Sequence, residues 1–367
     1  MLSFNVDDNL KDYQEFISNV NQVDIYQDSR WISAAVKKDY GKYHIFTLRE
    51  NEQIIVGAVA YIKDIRHLGK YIYIQHGPQF KLETNTDAFS TWGNIDLEAN
   101  HRYEDCIEFL NRLAQYAKSN DYISVVFEPL AASYSQFAKI LLHLGYQNYH
   151  HFNLPKYPMY LDLAKKEETL LAEVTKNTRY NIKYAEKKGV TIEVIYPTHD
   201  NTHIIEEFYS ILNFKSEVKN FRIPAKSFFI DIWNNFAGTN NVAVIFAKYN
   251  NEYISANFTL FYSDWAGSHY TANLLKHKNL KASYLLKWAT IIHSQKRGIK
   301  LFDMWGDIPN VKHNHPEYGV IVFKKGFNPI TRNFCGWMIL PLNLPKYTLW
   351  LHYNYFKKTL RGLRQVR

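Results

Sequence analysis

Cysteine is almost missing from this chain of 367 residues: Cys106 and Cys335 are the whole complement, far apart and without metal-ligand spacing. That excludes a disulfide framework and fits a reducing compartment. Glycine and proline are scarce too, at 15 and 11 residues, and nowhere do they build a phosphate-cradling loop, a Gly-x-Ser-x-Gly elbow or a dinucleotide fingerprint. Nucleophilic and hydride chemistry therefore lose their usual signatures. No apolar run spans a membrane, because the stretch from Trp337 to Phe356 is broken by Pro341, Pro345, Lys346 and His352. The opening residues, Met1-Leu-Ser-Phe-Asn-Val-Asp-Asp, lack the basic-then-apolar order of a signal peptide. A cytoplasmic protein is expected.

What is present suits a fully folded chain. Apolar residues make up 46% and charged residues 22%, with no low-complexity tract, and the length exceeds what one hydrophobic core usually serves. Aromatics reach 16%, with 28 Tyr and 23 Phe, a content that β-rich cores explain for most of them. The net charge of +9 points to polyanions without choosing among nucleic acid, nucleotide-linked substrates and anionic membrane. Lys346, Lys357, Lys358, Arg361, Arg364 and Arg367 share the end of the chain with Trp350, Leu351, Tyr353, Tyr355 and Phe356. This amphipathic basic tail is either an interfacial helix on anionic lipid or a solvated helix docked by one face.

One hairpin pattern occurs twice. Residues 45–54 and 245–254 share Ile, Phe, Asn, Glu and Ile at one constant offset. Each copy is followed by a predicted helix and an apolar strand: Asp105 to Ser119 then Ile123 to Phe127, and Ser283 to Lys296 then Lys300 to Met304. That order predicts two similar α/β domains with mixed sheets, over residues 1–155 and 156–337, with residues 338–367 returning to the first. Between the copies a basic helix is expected over Glu167 to Lys188, then a second from His203 to Phe214 leading into a basic loop, Lys215 to Lys226. Charge runs of this kind are most often solvated faces.

Where a coenzyme A acyltransferase would place its Gly-rich pyrophosphate turn, the chain reads Lys278-Asn-Leu-Lys-Ala-Ser-Tyr-Leu-Leu. No cofactor is expected there, since free amides at a Gly-rich helix start are what hold the anion. His313-Asn-His315 with Glu317 has no metal-ligand spacing, and it reads as a loop with no metal.

The most informative segments are Leu301-Phe-Asp303-Met-Trp305-Gly306, Phe323-Lys324-Lys325-Gly326-Phe327 and Ala185-Glu-Lys-Lys-Gly-Val190. With Phe208-Tyr209, Leu212, Tyr26-Gln27 and Trp31, they resemble the Fem family of peptidoglycan interpeptide-bridge aminoacyltransferases over roughly residues 20 to 340. The likeness is to its short form, without a coiled-coil arm. Two tandem acyl-CoA N-acyltransferase-like domains are the fold this implies. The implied partners are aminoacyl-tRNA as donor and a peptidoglycan precursor, lipid II or UDP-MurNAc-pentapeptide, as acceptor. The chain departs from the family in carrying Lys215, Val218 and Phe221 where Thr-x-x-Arg-x-x-Phe is common, and Arg222 is the substitute contact.

By this resemblance Lys324 is the catalytic cation and Phe323 walls the site, on an extended strand whose opposite face carries Lys325. Lys37 and Arg222 are the phosphate-contact candidates, and Tyr270, Tyr284, Asp303 and Trp305 complete the substrate-binding set. A monomer is expected, with peripheral contact to the inner face of the plasma membrane through the basic tail. Rival readings keep the fold with another peptide or protein acceptor, or make the chain a non-catalytic RNA- or membrane-binding adaptor.

Overall fold

The computed structural model describes residues 1–20, 24–65, 67–82, 96–149 and 157–353. The first half runs β1 (Leu2–Asp7), α1 (Leu10–Ser18), α2 (Ser29–Ala35), β2 (Tyr43–Glu50), β3 (Gln53–Ile65), β4 (Gly69–Gln75), β5 (Gln79–Phe80), α3 (Tyr103–Ser119), β6 (Tyr122–Glu128), α4 (Gln136–His143) and β7 (Gln147–Tyr149). The second runs β8 (Pro158–Asp162), α5 (Glu167–Glu173), α6 (Lys176–Lys187), β9 (Thr191–Ile195), α7 (His203–Lys219), α8 (Lys226–Asn235), β10 (Val242–Tyr249), β11 (Glu252–Tyr262), β12 (Trp265–Asn273), α9 (Ala282–Lys296), β13 (Leu301–Gly306), α10 (Tyr318–Lys325), β14 (Ile330–Thr331) and β15 (Trp337–Pro341).

Two mixed sheets result, ordered β1-β2-β3-β4-β6-β15-β7 and β14-β8-β13-β12-β11-β10-β9. Read from opposite ends they are one topology: an antiparallel run of four strands, a parallel pair, then an antiparallel strand beyond it. The strand beyond the parallel pair is exchanged. β8, which follows the first half in the chain, pairs with β13 of the second sheet, while β15, from the end of the second half, lies between β6 and β7 of the first. Each sheet is thus completed by chain from the other side of the duplication.

The repeated hairpin holds the same place in both sheets, with a small correction to its alignment. Ile45 pairs with Val59 as Val244 pairs with Phe258, and each hairpin carries a bulge, at Leu48/Arg49 and at Ala247/Lys248. The turns are Asn51-Glu52 (φ 46 and 69) and Asn250-Asn251 (φ 48 and 63), two-residue turns of the left-handed kind. The sequence identities between the copies are therefore one residue out of step with the structural equivalence. A one-residue slip reverses strand faces: Ile45 faces the shared core, whereas Ile245 faces the outer layer of its sheet.

The shared core is continuous between the halves. The inner faces of both sheets, α1, α2, α7 and α8 contribute to one cluster that includes Trp31, Ile32, Tyr61, Phe208, Phe229 and Phe258. Outside it, α3 and α4 cover the first sheet around Phe46, Phe109 and Phe127, and α6 and α9 cover the second around Ile182, Trp288 and Phe302. Residues 344–353 are helical and return to the first half, with the buried Trp350 stacked 4.9 Å from Tyr71. The rest of the basic tail, including Tyr355, Phe356, Lys357, Lys358, Arg361, Arg364 and Arg367, lies outside the described residues.

Several local expectations are corrected. The helix expected over Glu167 to Lys188 is two, broken where Val174 and Thr175 turn extended so that the Thr175 hydroxyl caps α6 at Thr178 N. α7 runs on to Lys219, five residues into the expected loop, because Lys215 lays its stem inward and donates to Thr271 O at 2.8 Å. Phe323 to Lys325 is the last turn of helix α10 and no strand. Its Gly-Val-Ile-Val-Phe run is too short and apolar for periodicity to separate helix from strand. Ile321 and Phe327 are its buried anchors.

Candidate active site at the fork of β12 and β13

Parallel strands in open sheets present their carboxyl ends as binding crevices, and the two parallel pairs here end differently. β4 and β6 stay paired to their ends, at Gln75 and Glu128. β12 and β13 pair only from Trp265/Leu301 to Gly267/Asp303 and then separate, β12 continuing along β11 and β13 along β8. Two irregularities stand at the fork. His269 is the extra residue of a bulge in β12, between the Phe258/Tyr270 and Thr259/Ser268 pairs. β13 carries the other between Asp303 and Gly306, where Trp305 adopts φ 62. Bulges re-aim side chains beside active sites, and the Trp305 indole N–H reaches back across the fork to the Ser268 carbonyl.

Asp303 is the buried carboxylate of the fork. Its Oδ1 accepts from Trp305 N at 2.6 Å, yet burial outweighs that bond and lifts its pKa to about 7. Lys324 comes from α10, with its Nζ donating to the Gly306 carbonyl at 3.0 Å. Burial pulls the Lys324 pKa below the usual lysine range, while Asp303, Glu317 and Asp307 oppose that shift. Phe323 stacks edge-on against Tyr284 of α9 at 4.9 Å. Tyr270 packs on Phe229 at 5.1 Å and on His269 at 4.5 Å. The fork thus gathers Lys324, Phe323, Tyr284, Asp303, Trp305 and Tyr270.

Lys37 and Arg222 stand apart from this cluster. Exposed Lys37 pairs with Asp231 of α8 at 3.0 Å. Arg222 is exposed ahead of α8 and makes no ion pair among the described residues. Lys325, expected on an opposite strand face, instead lies about one-quarter turn from Lys324 on a helix and pairs with the buried Asp307 at 3.1 Å. His313 lies against Tyr318, and His315 Nδ1 accepts from Glu317 N, so neither turns toward the fork.

Sequence reasoning missed three groups. Lys287 of α9 is 6% exposed over the Phe302 ring, and it makes no hydrogen bond among the described residues. Burial and then the Lys324 charge push its pKa down to about 7. A lone lysine in the apolar run Tyr284-Leu-Leu-Lys-Trp-Ala was a readable signal. The second group is His76, at the carboxyl end of the closed parallel pair, 3.1 Å from Asp24 and 3.6 Å from Glu128. Burial disfavours its charge, but the two carboxylates prevail and raise its pKa to about 10. The third, His269, is held neutral by burial and the charge of Lys38, its pKa near 3. Its Nδ1 lies 3.3 Å from the Tyr26 hydroxyl, and Tyr26 meets His76 edge-on at 4.7 Å. This bridge joins the two strand-pair ends, with no isolated signal in the sequence to announce it.

Half-buried Lys324 and buried Asp303 thus meet where a parallel pair splits, in one of two tandem sheets of like topology. The chain belongs to the FemAB family, which it matches over residues 9–259 and 244–358. It is 25% identical over 83 residues to the aminoacyltransferase FemA of Staphylococcus epidermidis, a stretch covering 23% of this chain and 20% of that protein. In three dimensions it is similar to a crystal structure of FemX, with a TM-score of 0.78, 13% identity and coverage of 95% and 99% of the two chains. It also resembles L-PGS from Bacillus licheniformis, with a TM-score of 0.54, 11% identity and coverage of 92% and 99%. At these identities the structural likenesses speak for the fold.

Proposed function

We propose that this protein is an aminoacyltransferase that moves an amino acid from aminoacyl-tRNA to the stem-peptide amine of a peptidoglycan precursor, building the interpeptide bridge. The observation that carries the reading is the half-buried Lys324 ammonium held on the Gly306 carbonyl at the end of β13, near buried Asp303. The acceptor amine attacks the ester carbonyl, a C–N bond forms, and the carbonyl oxygen becomes negative. Lys324 stabilises that oxygen in a site where water screens little. The C–O bond to the ribose then breaks, and the ribose oxygen leaves with a proton from the new ammonium. The Gly306 carbonyl orients Lys324 and the Asp303 charge favours its protonated form; Asp303 is not needed as a base, since an activated ester needs little base assistance.

Phe323 and Tyr284 wall the donor side, Tyr270 and Trp305 line the acceptor side, and Lys37 and Arg222 offer cations to the precursor's phosphates. A lipid-linked acceptor would also give the basic residues from Lys346 onward an anionic surface to meet. The test is transfer of a labelled amino acid from charged tRNA to lipid II and to UDP-MurNAc-pentapeptide. Label appearing on either peptide supports the reading. Its absence from both, with tRNA still bound, returns the chain to an adaptor role.

A further inference from the structure

The sequence's basic helix, α6, carries a feature that charge alone did not disclose. Lys176, Tyr180, Lys183, Tyr184 and Lys187 fall at i, i+4, i+7, i+8 and i+11 and so share one face. Thr178, Asn181, Ile182 and Ala185 are buried on the opposite side. The three lysines and Tyr180 are exposed, Tyr180 at 63%, and none of these lysines forms an ion pair among the described residues. Tyr180 and Tyr184 stack on each other at 5.9 Å and 29°, and Lys188 lies 5.4 Å over the Tyr184 ring. The helix's one carboxylate, Glu186, projects to the side of this stripe.

The stripe leads to the fork. Thr175, which caps α6, donates its N–H to Gly326 O at 2.9 Å, directly after the last turn of α10. Gly326 lies so close to Thr178 that an added Cβ would fall 2.3 Å from its hydroxyl, which fixes the two helices against each other. α6 packs against α9, whose Tyr284 meets Phe323 edge-on at 4.9 Å. Lysines in register with ring faces match a single-stranded nucleic acid, with phosphates on the ammoniums and bases on the rings. An anionic lipid surface fits less well, because the stripe has no Leu, Ile, Phe or Trp to enter the acyl layer.

We propose that this face of α6 docks the unpaired 3′ end of the donor RNA, stacking bases on Tyr180 and Tyr184 and setting phosphates on Lys176, Lys183 and Lys187, so that the esterified terminus arrives at Lys324. The proposal rests on the reading that the donor is an aminoacyl ester of RNA. It adds the place where that RNA is held.

The experiment is fluorescence anisotropy of the full chain with a labelled RNA hairpin bearing a short unpaired 3′ tail, beside the same hairpin made blunt. Tyr180→Ala should weaken binding of the tailed hairpin by roughly tenfold and leave the blunt one nearly unchanged. Lys183→Gln should reduce the slope of log affinity against log salt by about 0.7. Equal affinity of wild type and both variants for the tailed hairpin overturns the stripe while leaving transfer from tRNA standing. Weaker binding of the variants to phosphatidylserine vesicles, with RNA affinity unchanged, overturns it in favour of lipid. If wild type binds the RNA but never takes an amino acid from charged tRNA, the donor reading fails and the docking face survives.

Discussion

Lys324→Met is the perturbation that bears most directly on the chemistry. An ammonium about 3 Å from a developing oxyanion, at an effective dielectric of about 20, is worth at most about 5.5 kcal/mol. Loss of a single oxyanion donor typically costs on the order of 10² to 10³ in turnover. Lys287 limits the loss here, because removing the Lys324 charge relieves a repulsion that holds the Lys287 pKa down. We therefore expect a fall of about a hundredfold in single-turnover transfer, with precursor affinity nearly unchanged, as for a contact made only in the transition state. Lys324→Arg adds a readout that a merely structural lysine would not move. The protonated amine is the active form and its pKa is lowered, so wild-type transfer should fail on the alkaline side earlier than an ordinary lysine would allow. The arginine variant should lose that limb, since guanidinium stays charged. Lys325→Arg is the control, because Lys325→Met would strip the buried Asp307 of its cation. Transfer at the wild-type rate by a folded Lys324→Met protein would remove this lysine from the mechanism.

The raised pKa of His76 contributes stability that is fully present below about 6.5 and is lost as pH rises through about 10. The melting temperature of the wild type should fall across that window, and His76→Gln should be flatter and lower, with Asp24 and Glu128 left uncompensated; superimposable curves would sink this. For Lys287 the sign is opposite: the cost of burying its charge is complete below about 7 and fades as pH approaches 10.5. Thermal denaturation of Lys287→Met should therefore show a gain near pH 6, on the order of a few kcal/mol, that shrinks near pH 10. A gain independent of pH would mean that the side chain's shape, and not its charge, is at stake. Ending the chain after residue 336 removes β15 and bares the edges of β6 and β7; we expect insoluble protein, and a monomer with the wild-type circular dichroism spectrum would refute the exchange as a stabilising device.

The order of elements was readable because long periodic segments carry it. The helix predicted from Asp105 to Ser119 is observed from Tyr103, and the strand predicted from Lys300 to Met304 runs from Leu301 to Gly306. Lys324 and Asp303 were legible through family likeness, but the conformation presenting Lys324 was not, because an eight-residue apolar segment has no decisive period. The fork could not be read at all. It depends on bulges at His269 and Trp305, whose positive φ or extra residue leaves no fixed composition in the strand. Lys287 and His76 were missed for a related reason. A buried ionisable group is defined by what surrounds it in space, and its neighbours here come from α10, β13 and α7 for the lysine, and from residue 24 and β6 for the histidine.

The same strand order, built twice, yields one parallel pair that parts and one that stays closed. In the first sheet the parallel pair is hydrogen-bonded to its ends, and the backbone N–H of His76 extends the closure by donating to Glu128 O at 2.8 Å. That end holds an imidazolium between two carboxylates, with the strands paired up to it. In the second sheet the pair parts after Gly267 and Asp303, and the charges gathered there include Lys324, Lys287, Asp303 and Asp307. The first cluster sets one imidazolium against two carboxylates, whereas the second sets Lys324 and Lys287 beside Asp303. Tyr26 and His269 hold the two ends face to face. The strand exchange makes that facing arrangement hard to lose, because opening the cleft widely would pull β15 from between β6 and β7 or β8 from beside β13. The two like sheets therefore hold each other in place, the closed pair facing the parted one.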